Sequence, residues 1–265
     1  MAQIPIKREP EIQAMRESGA LAATILEQLK NLLAPGVTTR EIDQAAADLM
    51  REYGVKSAFY GYRKFPGHIC IGINEEVVHG IGSSRRIQYG DIVKIDVGIL
   101  HNGWIGDTAA TIPIGEISAD IARLITATEE ALYHGIAAAR AGARVGDISH
   151  SIESYIKKHR FSVVREFVGH GVGRHIHEEP QVPNFGQPHT GPILKPGMTL
   201  AIEPMVNLGT PDVRILADGW TAVTRDGLPS AHFEHTIVIT EKEAEILTCL
   251  PTQKISKSKA PSLKS

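Results

Sequence analysis

Between Ile92 and Ile99 the chain alternates with period two. Val93, Ile95, Val97 and Ile99 fall on one face, and Lys94, Asp96 and Gly98 on the other, the pattern of a β-strand. Asn102-Gly103 follows, and because both central positions of a type I′ turn need positive φ, this pair predicts a hairpin. Pairing His101 with Trp104 sets Asp96 opposite Ala109. Asp107 is then a diagonal neighbour of Asp96, with a Cβ separation of roughly 7 Å.

Elsewhere the period is helical. Glu11 to Leu33 reads as a helix ended by Pro35-Gly36. Thr38 or Thr39 is a plausible N-cap for a second helix to about Tyr53-Gly54, with Glu41 and Asp43 in its first turn. Residues 55 to 82 read as strand and loop. After the hairpin, Ile121 to Arg140 predicts a third helix closed by Ala141-Gly142, and Asp147 opens a fourth that runs to about His159. Strand-like segments follow around Phe161 to Gly169 and Met198 to Glu203.

These elements repeat. Ala34-Pro35-Gly36 with Ile42 matches Arg140-Ala141-Gly142 with Ile148, and Gly90 through Asp96 matches Gly197 through Glu203, offsets of 106 and 107 residues. Each half reads helix, helix, strands, with an acid six residues after a glycine. The expected architecture is one α/β (α+β) domain over residues 1–250, with pseudo-twofold halves at about 5–115 and 116–250 and a central cleft that collects ligands from both.

Composition narrows the setting. With 42% hydrophobic and 22% charged residues the chain is an ordinary globular protein able to bury a core. A net charge of −2 gives no electrostatic reason for a specific nucleic-acid or membrane partner. Cys70 and Cys249, the only cysteines, make neither a disulfide framework nor a thiolate zinc site, so a reducing, cytoplasmic setting is expected. The first 19 residues lack an apolar signal core, and no apolar run reaches a membrane-spanning length. Residues 251–265, rich in Lys, Ser and Pro without an acid, read as a disordered tail, with a weak ribosome contact as the functional alternative to a merely solvated one.

The candidate chemistry is a cluster of acids. Asp96 is mid-strand among Ile and Val, where an uncompensated charge is costly. His170 closes an apolar strand among Gly169, Gly171 and Gly173, Glu203 ends another, and Glu234 heads the strongly β-forming run to Ile239. Four carboxylates in one cleft repel unless cations lie between them. Two divalent ions cancel the charge, and an oxygen-rich, sulfur-free shell suits Mn, Fe, Co or Zn.

In this order and at these spacings, His79, Asp96, Asp107, His170, His177, Glu203 and Glu234, within VKIDVG, GDTA, GHGVGRHIHEEP, AIEPM and EHTIVIT, resemble the type I, bacterial-like methionine aminopeptidases over about residues 5 to 250. The resemblance implies a "pita-bread" fold, a curved antiparallel sheet with helices outside. It implies two divalent ions bridged by Asp107 and Glu234, with Asp96 on one and His170 and Glu203 on the other. Glu203 would act as general base and then acid, and His79 and His177 would contact the substrate amide. An apolar pocket of Tyr62, Phe65, Cys70 and Trp220 would take the methionine side chain. Asn74 and Ser230 match positions at which relatives hold a monovalent cation through backbone oxygens. One departure is Val78-His79-Gly80-Ile81-Gly82, where the family usually has Cys-His-Gly-Ile-Pro. The implied substrates are the N-termini of nascent polypeptides, and a monomer is expected.

Two other readings stand beside this one. A proline-specific (Xaa-Pro) peptidase shares fold and ligands but usually carries a further domain ahead of the catalytic one, and only 95 residues precede Asp96. A binding protein that kept the fold and lost catalysis would not need all five ligand positions filled. The type II methionine aminopeptidases carry a helical insertion in the second half, for which the 30 residues between Glu203 and Glu234 leave no room.

Overall fold

The computed structural model describes residues 3–250; the tail assigned to 251–265 lies outside the described residues. The first half contains helices α1 (Glu9–Lys30) and α2 (Thr39–Glu52), short strands β1 (Lys56–Ser57), β2 (Cys70–Ile73) and β3 (Glu76–Val78), and the hairpin β4 (Ile92–His101) and β5 (Trp104–Pro113). The second begins with α3 (Ala119–Ala138) and α4 (Val145–Lys158), followed by β6 (Ser162–Val163), β7 (Gly169–Gly171), β8 (Glu178–Val182) and β9 (Thr199–Ile202). Then come β10 (Met205–Asn207), β11 (Val213–Ile215), β12 (Ala222–Thr224), β13 (Ser230–His232), β14 (Glu234–Val238) and β15 (Glu245–Ile246).

The hairpin forms in the expected register, with His101 opposite Trp104 and Asp96 opposite Ala109. Asn102 and Gly103 have φ of 50° and 81°, as the tight turn requires. The main antiparallel sheet runs β1-β4-β5-β14-β9-β7-β8, with β2 also on β4 and β15 also on β14. The central order β2-β4-β5-β14-β9-β7 is the same element pattern from either end, so a pseudo-twofold axis lies between β5 and β14. The helix pairs obey it too, since α2 and α4 are each 14 residues long and start 106 residues apart. In both, the third helical residue reaches back to the cap: Thr38 N donates to Glu41 Oε2 and Arg144 N to Asp147 Oδ2, each at 2.7 Å.

The seam between the halves is laced by threonines. Glu234 pairs with Ala109 and His235 with Thr108. Thr108 Oγ1 donates to Glu234 O at 2.9 Å, and Thr236 Oγ1 to Asp107 O at 2.8 Å. Thr111 Oγ1 donates to His232 O and accepts from His232 N, at 2.7 and 2.8 Å.

Val93, Ile95, Val97 and Ile99 face the helical layer and share one core with Ile25, Leu29, Ile42, Leu124, Ile148 and Ile152. Each such side chain contributes roughly 1.5–3 kcal/mol by leaving water. The other face of β4 is left free to build a site.

Several boundaries differ from the sequence reading. α1 starts two residues early because Pro10 fits the first turn, where its missing N–H has no partner to lose. Only the ends of the 161–169 segment pair as strands; between them the chain bends, and Arg165 turns outward to Glu153 (3.2 Å) and the Phe185 ring (4.5 Å).

Candidate active site

A cavity of about 260 Å³ lies where β4, β5, β14 and the end of β9 meet the loops around residues 59–65, 166–170 and 177. All eleven residues singled out for the site line it: Asp96, Asp107, Glu203 and Glu234, the histidines His79, His170 and His177, and Tyr62, Phe65, Cys70 and Trp220. His175, two residues from His177, is exposed and is not among the lining residues.

The carboxylates arrive by strand geometry. β4 presents Asp96 on the face opposite Ile95 and Val97, and β5 presents Asp107 two residues along. Glu234 enters across the seam at the start of β14, and Glu203 follows the end of β9. Burial raises all four proton affinities. Asp96 is pushed up to about 7, with Glu203 adding to burial and His232 opposing it. Glu203 is pushed to about 8 by burial. Asp107 and Glu234 are raised well above the usual range, first by burial and then by the neighbouring carboxylates.

Three carboxylate oxygens, Asp96 Oδ1, Asp107 Oδ1 and Glu234 Oε1, are buried without a hydrogen-bond partner. Buried acceptors are normally satisfied, so this trio fits divalent cations. The imidazole of His170 fits as well. Its Nδ1 lies 2.9 Å from Gly171 O, which fixes the proton there and leaves Nε2 as the free lone pair. That Nε2 stands 3.3 Å from Glu203 Oε1 and 3.8 Å from Asp107 Oδ2, and burial, then His177, lower the His170 pKa to about 3, so the ring is neutral. Ligand atoms of Asp107, His170 and Glu234 lie within 4.8 Å of one another, as do those of Glu203, His232 and Glu234.

His232 was missed in the sequence. It is 2% exposed, and its Nε2 has no hydrogen bond and lies 3.6 Å from Glu203 Oε2. The available signal was spacing, since His232 is two residues from Glu234, although the two fall on successive strands, β13 and β14. Cys70 borders the acids, but burial, then Asp96 and Asp107, push its thiol well up, so it is no thiolate.

On the other side the cavity is aromatic. Phe65 and Trp220 meet edge to face at 5.1 Å, and His79 stands edge-on to Phe167 at 5.1 Å and to Trp220 at 6.4 Å. Gly98 admits the Phe59 ring against β4, where a Cβ would come within 2.5 Å of it. Phe59, Arg63, Val78, Phe167 and Met205 complete much of the wall; they carry no sequence signal beyond being apolar or in a loop. His79 has φ 59° and is kept neutral, its pKa lowered to about 4 by burial and then by His232. His177 Nδ1 is 2.8 Å from the Tyr62 hydroxyl, which orients the ring.

The Asn74 and Ser230 carbonyls, matched above to a monovalent-cation site, differ from that expectation. Both accept from Lys94 Nζ, at 2.6 and 3.0 Å. In the sequence Lys94 is one polar residue on a strand face; in a sheet buried on both sides its side chain reaches along that face to the turn after β2.

The chain matches the model of metallopeptidase family M24 over residues 13–241. It is 51% identical over 242 residues to methionine aminopeptidase 1 of Bacillus subtilis, covering 91% of this chain and 98% of that one. A crystal structure of methionine aminopeptidase from Rickettsia prowazekii superposes with a TM-score of 0.92 at 40% identity, covering 93% of this chain and all of that one. A Xaa-Pro dipeptidase from Bacillus anthracis shares the fold alone, with a TM-score of 0.75 at 24% identity; the match spans 93% of this chain but 62% of that one.

Proposed function

We infer that this chain, which belongs to metallopeptidase family M24, is a type I methionine aminopeptidase that hydrolyses the first peptide bond of proteins and peptides beginning with methionine. The observation that carries the reading is the union, in one small cavity, of an acid and imidazole cluster with an aromatic pocket. Family membership implies divalent metal. The ligand assignment proposed here gives Asp107 and Glu234 to both of two ions, Asp96 to one, and His170 and Glu203 to the other, drawn from Mn, Fe, Co or Zn. When bound, such ions lower the pKa of water and polarise the scissile carbonyl.

The chain's own residues supply the rest. Tyr62, Phe65, Cys70 and Trp220 take the thioether, a polarizable group favourable against aromatic rings. The neutral rings of His79 and His177 present N–H donors to the scissile amide, holding it in place and stabilising the oxyanion. Glu203 accepts the proton of the attacking water and returns it to the leaving amine. A cavity of 260 Å³ falls below the roughly 300–1,000 Å³ of sites for drug-sized ligands. It has space for one side chain and adjoining main chain, so a large second residue should clash near His79.

The working unit we propose is a single domain of residues 1–250, acting as a monomer on nascent chains in the cytoplasm. Among the described residues no helix is long and apolar enough to cross a membrane.

The test is a panel of peptides with metal-loaded protein. Met-Ala, Met-Gly and Met-Ser peptides should be cleaved, and Met-Leu, Met-Lys, Met-Arg and N-formylated substrates refused. Efficient cleavage of Xaa-Pro peptides with weak action on Met-Ala would transfer the assignment to the proline peptidases. Full metal content without peptidase activity would favour the binding protein.

A further inference from the structure

Lys94 is 3% exposed and two residues before Asp96. Among the described residues it forms no ion pair. Its nearby acids are engaged elsewhere: Glu75 and Glu76 hold Arg85 at 2.9 and 2.8 Å, and Asp91 accepts from Gln88 N and Asn74 Nδ2. Burial lowers the Lys94 pKa to about 7, and below that pH the buried ammonium, lacking a counter-charge, is costly unless dipoles solvate it. Here two main-chain carbonyls do so, Asn74 O at 2.6 Å and Ser230 O at 3.0 Å.

Those carbonyls belong to opposite halves and to the two segments that deliver site residues. Asn74, with φ 50°, is in the turn from β2 to β3, which leads directly to His79. Ser230 opens β13, which ends at His232 and is followed, past Phe233, by Glu234. Asn74 is tied down on every side: its N donates to Ile92 O (3.0 Å), its Oδ1 accepts from Ile92 N (2.9 Å), and its O also accepts from Ser230 N (3.0 Å). The ammonium therefore sits at the point where the His79 and Glu234 segments diverge.

We propose that Lys94 is a tethered internal cation that fixes the spacing between His79 and the carboxylate cluster, doing with a covalently attached ammonium what a free monovalent ion would do between those carbonyls. It is a positioning residue, since it touches neither substrate nor the reacting atoms. Its catalytic consequence rests on the aminopeptidase reading; its effect on folding does not.

Shortening the side chain leaves two carbonyls around a space suited to potassium or ammonium. Wild type should have the same Tm in potassium, ammonium and choline chloride at equal ionic strength. Lys94→Ala in choline chloride should lose about 5 °C or more and about tenfold in kcat, with a smaller change in KM. Potassium or ammonium should restore at least half of each loss. Divalent metal content should stay at the wild-type level. Lys94→Met, which fills the space with an uncharged chain, should lose as much and regain nothing. Wild-type dependence on potassium, a Lys94→Ala protein as stable as wild type in choline chloride, or one depressed equally in all salts would each overturn the proposal. Should Lys94→Ala not fold in choline chloride, folding in ammonium chloride supports the proposal and failure in every salt overturns it. The Tm series needs no turnover, so it stands apart from any failure of the peptidase assignment.

Discussion

In the first half, Asp96 and Asp107 stand on two ten-residue strands joined by a two-residue turn. In the second half, Glu203 and Glu234 stand at the ends of strands of four and five residues, with two three-stranded sheets each formed partly from the 30 residues between them. Local pairing positions the first two acids. The second two depend on packing against the rest of the molecule, and the extra chain between them brings Met205 and Trp220 to the cavity and His232 to Glu203. A stiff half and a composite half thus face each other over the same cluster. The composite half carries most of the groups that distinguish one side of the site from the other.

Variants can break that contrast. The largest expected effect is at the hairpin acids. Asp96→Asn or Asp107→Asn should leave the fold intact and lower turnover on the order of 10³-fold or more, with divalent metal lost. Metal analysis beside a Met-Ala-peptide assay checks this, and normal binding of two ions with normal turnover in either variant would defeat the ligand assignment. Next come the two histidines proposed to face the scissile amide, one from each half. His79→Ala and His177→Ala should keep their metal and lose about 10²-fold in rate, while the exposed His175→Ala stays near wild type. A collapse in His175→Ala with normal kinetics in His177→Ala would reverse the choice.

The third effect is on the pH dependence of metal-stripped protein. Asp96 and Glu203, one from each half, have folded pKa values raised to about 7 and about 8. A raised carboxyl stabilises the fold fully below its unfolded pKa, near 4, and that stability is lost as pH rises through the folded value. Below about pH 6.5 the buried neutral histidines, among them His79 and His170 with pKa values lowered to about 4 and about 3, act in the opposite sense, so Tm in EDTA should fall by several degrees between about pH 6.5 and about pH 8.5, and added Mn²⁺ or Co²⁺ should restore it at the upper end. A flat profile would show that the four acids are not crowded as described. The smallest effect separates the matched helix starts. Asp147 Oδ1 also accepts from His189 N at 2.8 Å, which ties α4 to a loop, whereas Glu41 serves only its own helix end. Asp147→Ala should lower Tm by about 2–4 °C, and Glu41→Ala by less.

The same contrast governs how much could be read before folding. The hairpin, its register and the neighbouring Asp96 and Asp107 were legible because period-two alternation and Asn-Gly are local signals. The pseudo-twofold was legible through Gly36 and Gly142, and Gly90 and Gly197, all with φ between 85° and 93°. His170, Glu203 and Glu234 were placed in one cleft only by matching the acids of the repeat and by family resemblance. Strands of three to five residues carry too little periodicity to be found alone. His232 escaped because its neighbour Glu234 already explained the segment. The engagement of Lys94 escaped because alternation distinguishes two faces without saying that both are buried.

The seam between β5 and β14 has a further consequence. An axis that carries Asp107 onto Glu234 across neighbouring antiparallel strands has the form of an isologous dimer contact enclosed in one polypeptide. A half-length chain would expose its seam strand as a sticky edge with a buried-type acid upon it, and only a second copy would cover it. Two identical copies, however, must present identical residues to both sides of their cleft. Fusion removes that restriction. Asp can face Glu across the axis, and His170 can appear on one side without a counterpart on the other. The reaction transfers a proton in one direction and admits a substrate from one side, so it needs a site whose two sides differ, and broken symmetry within a single chain supplies it.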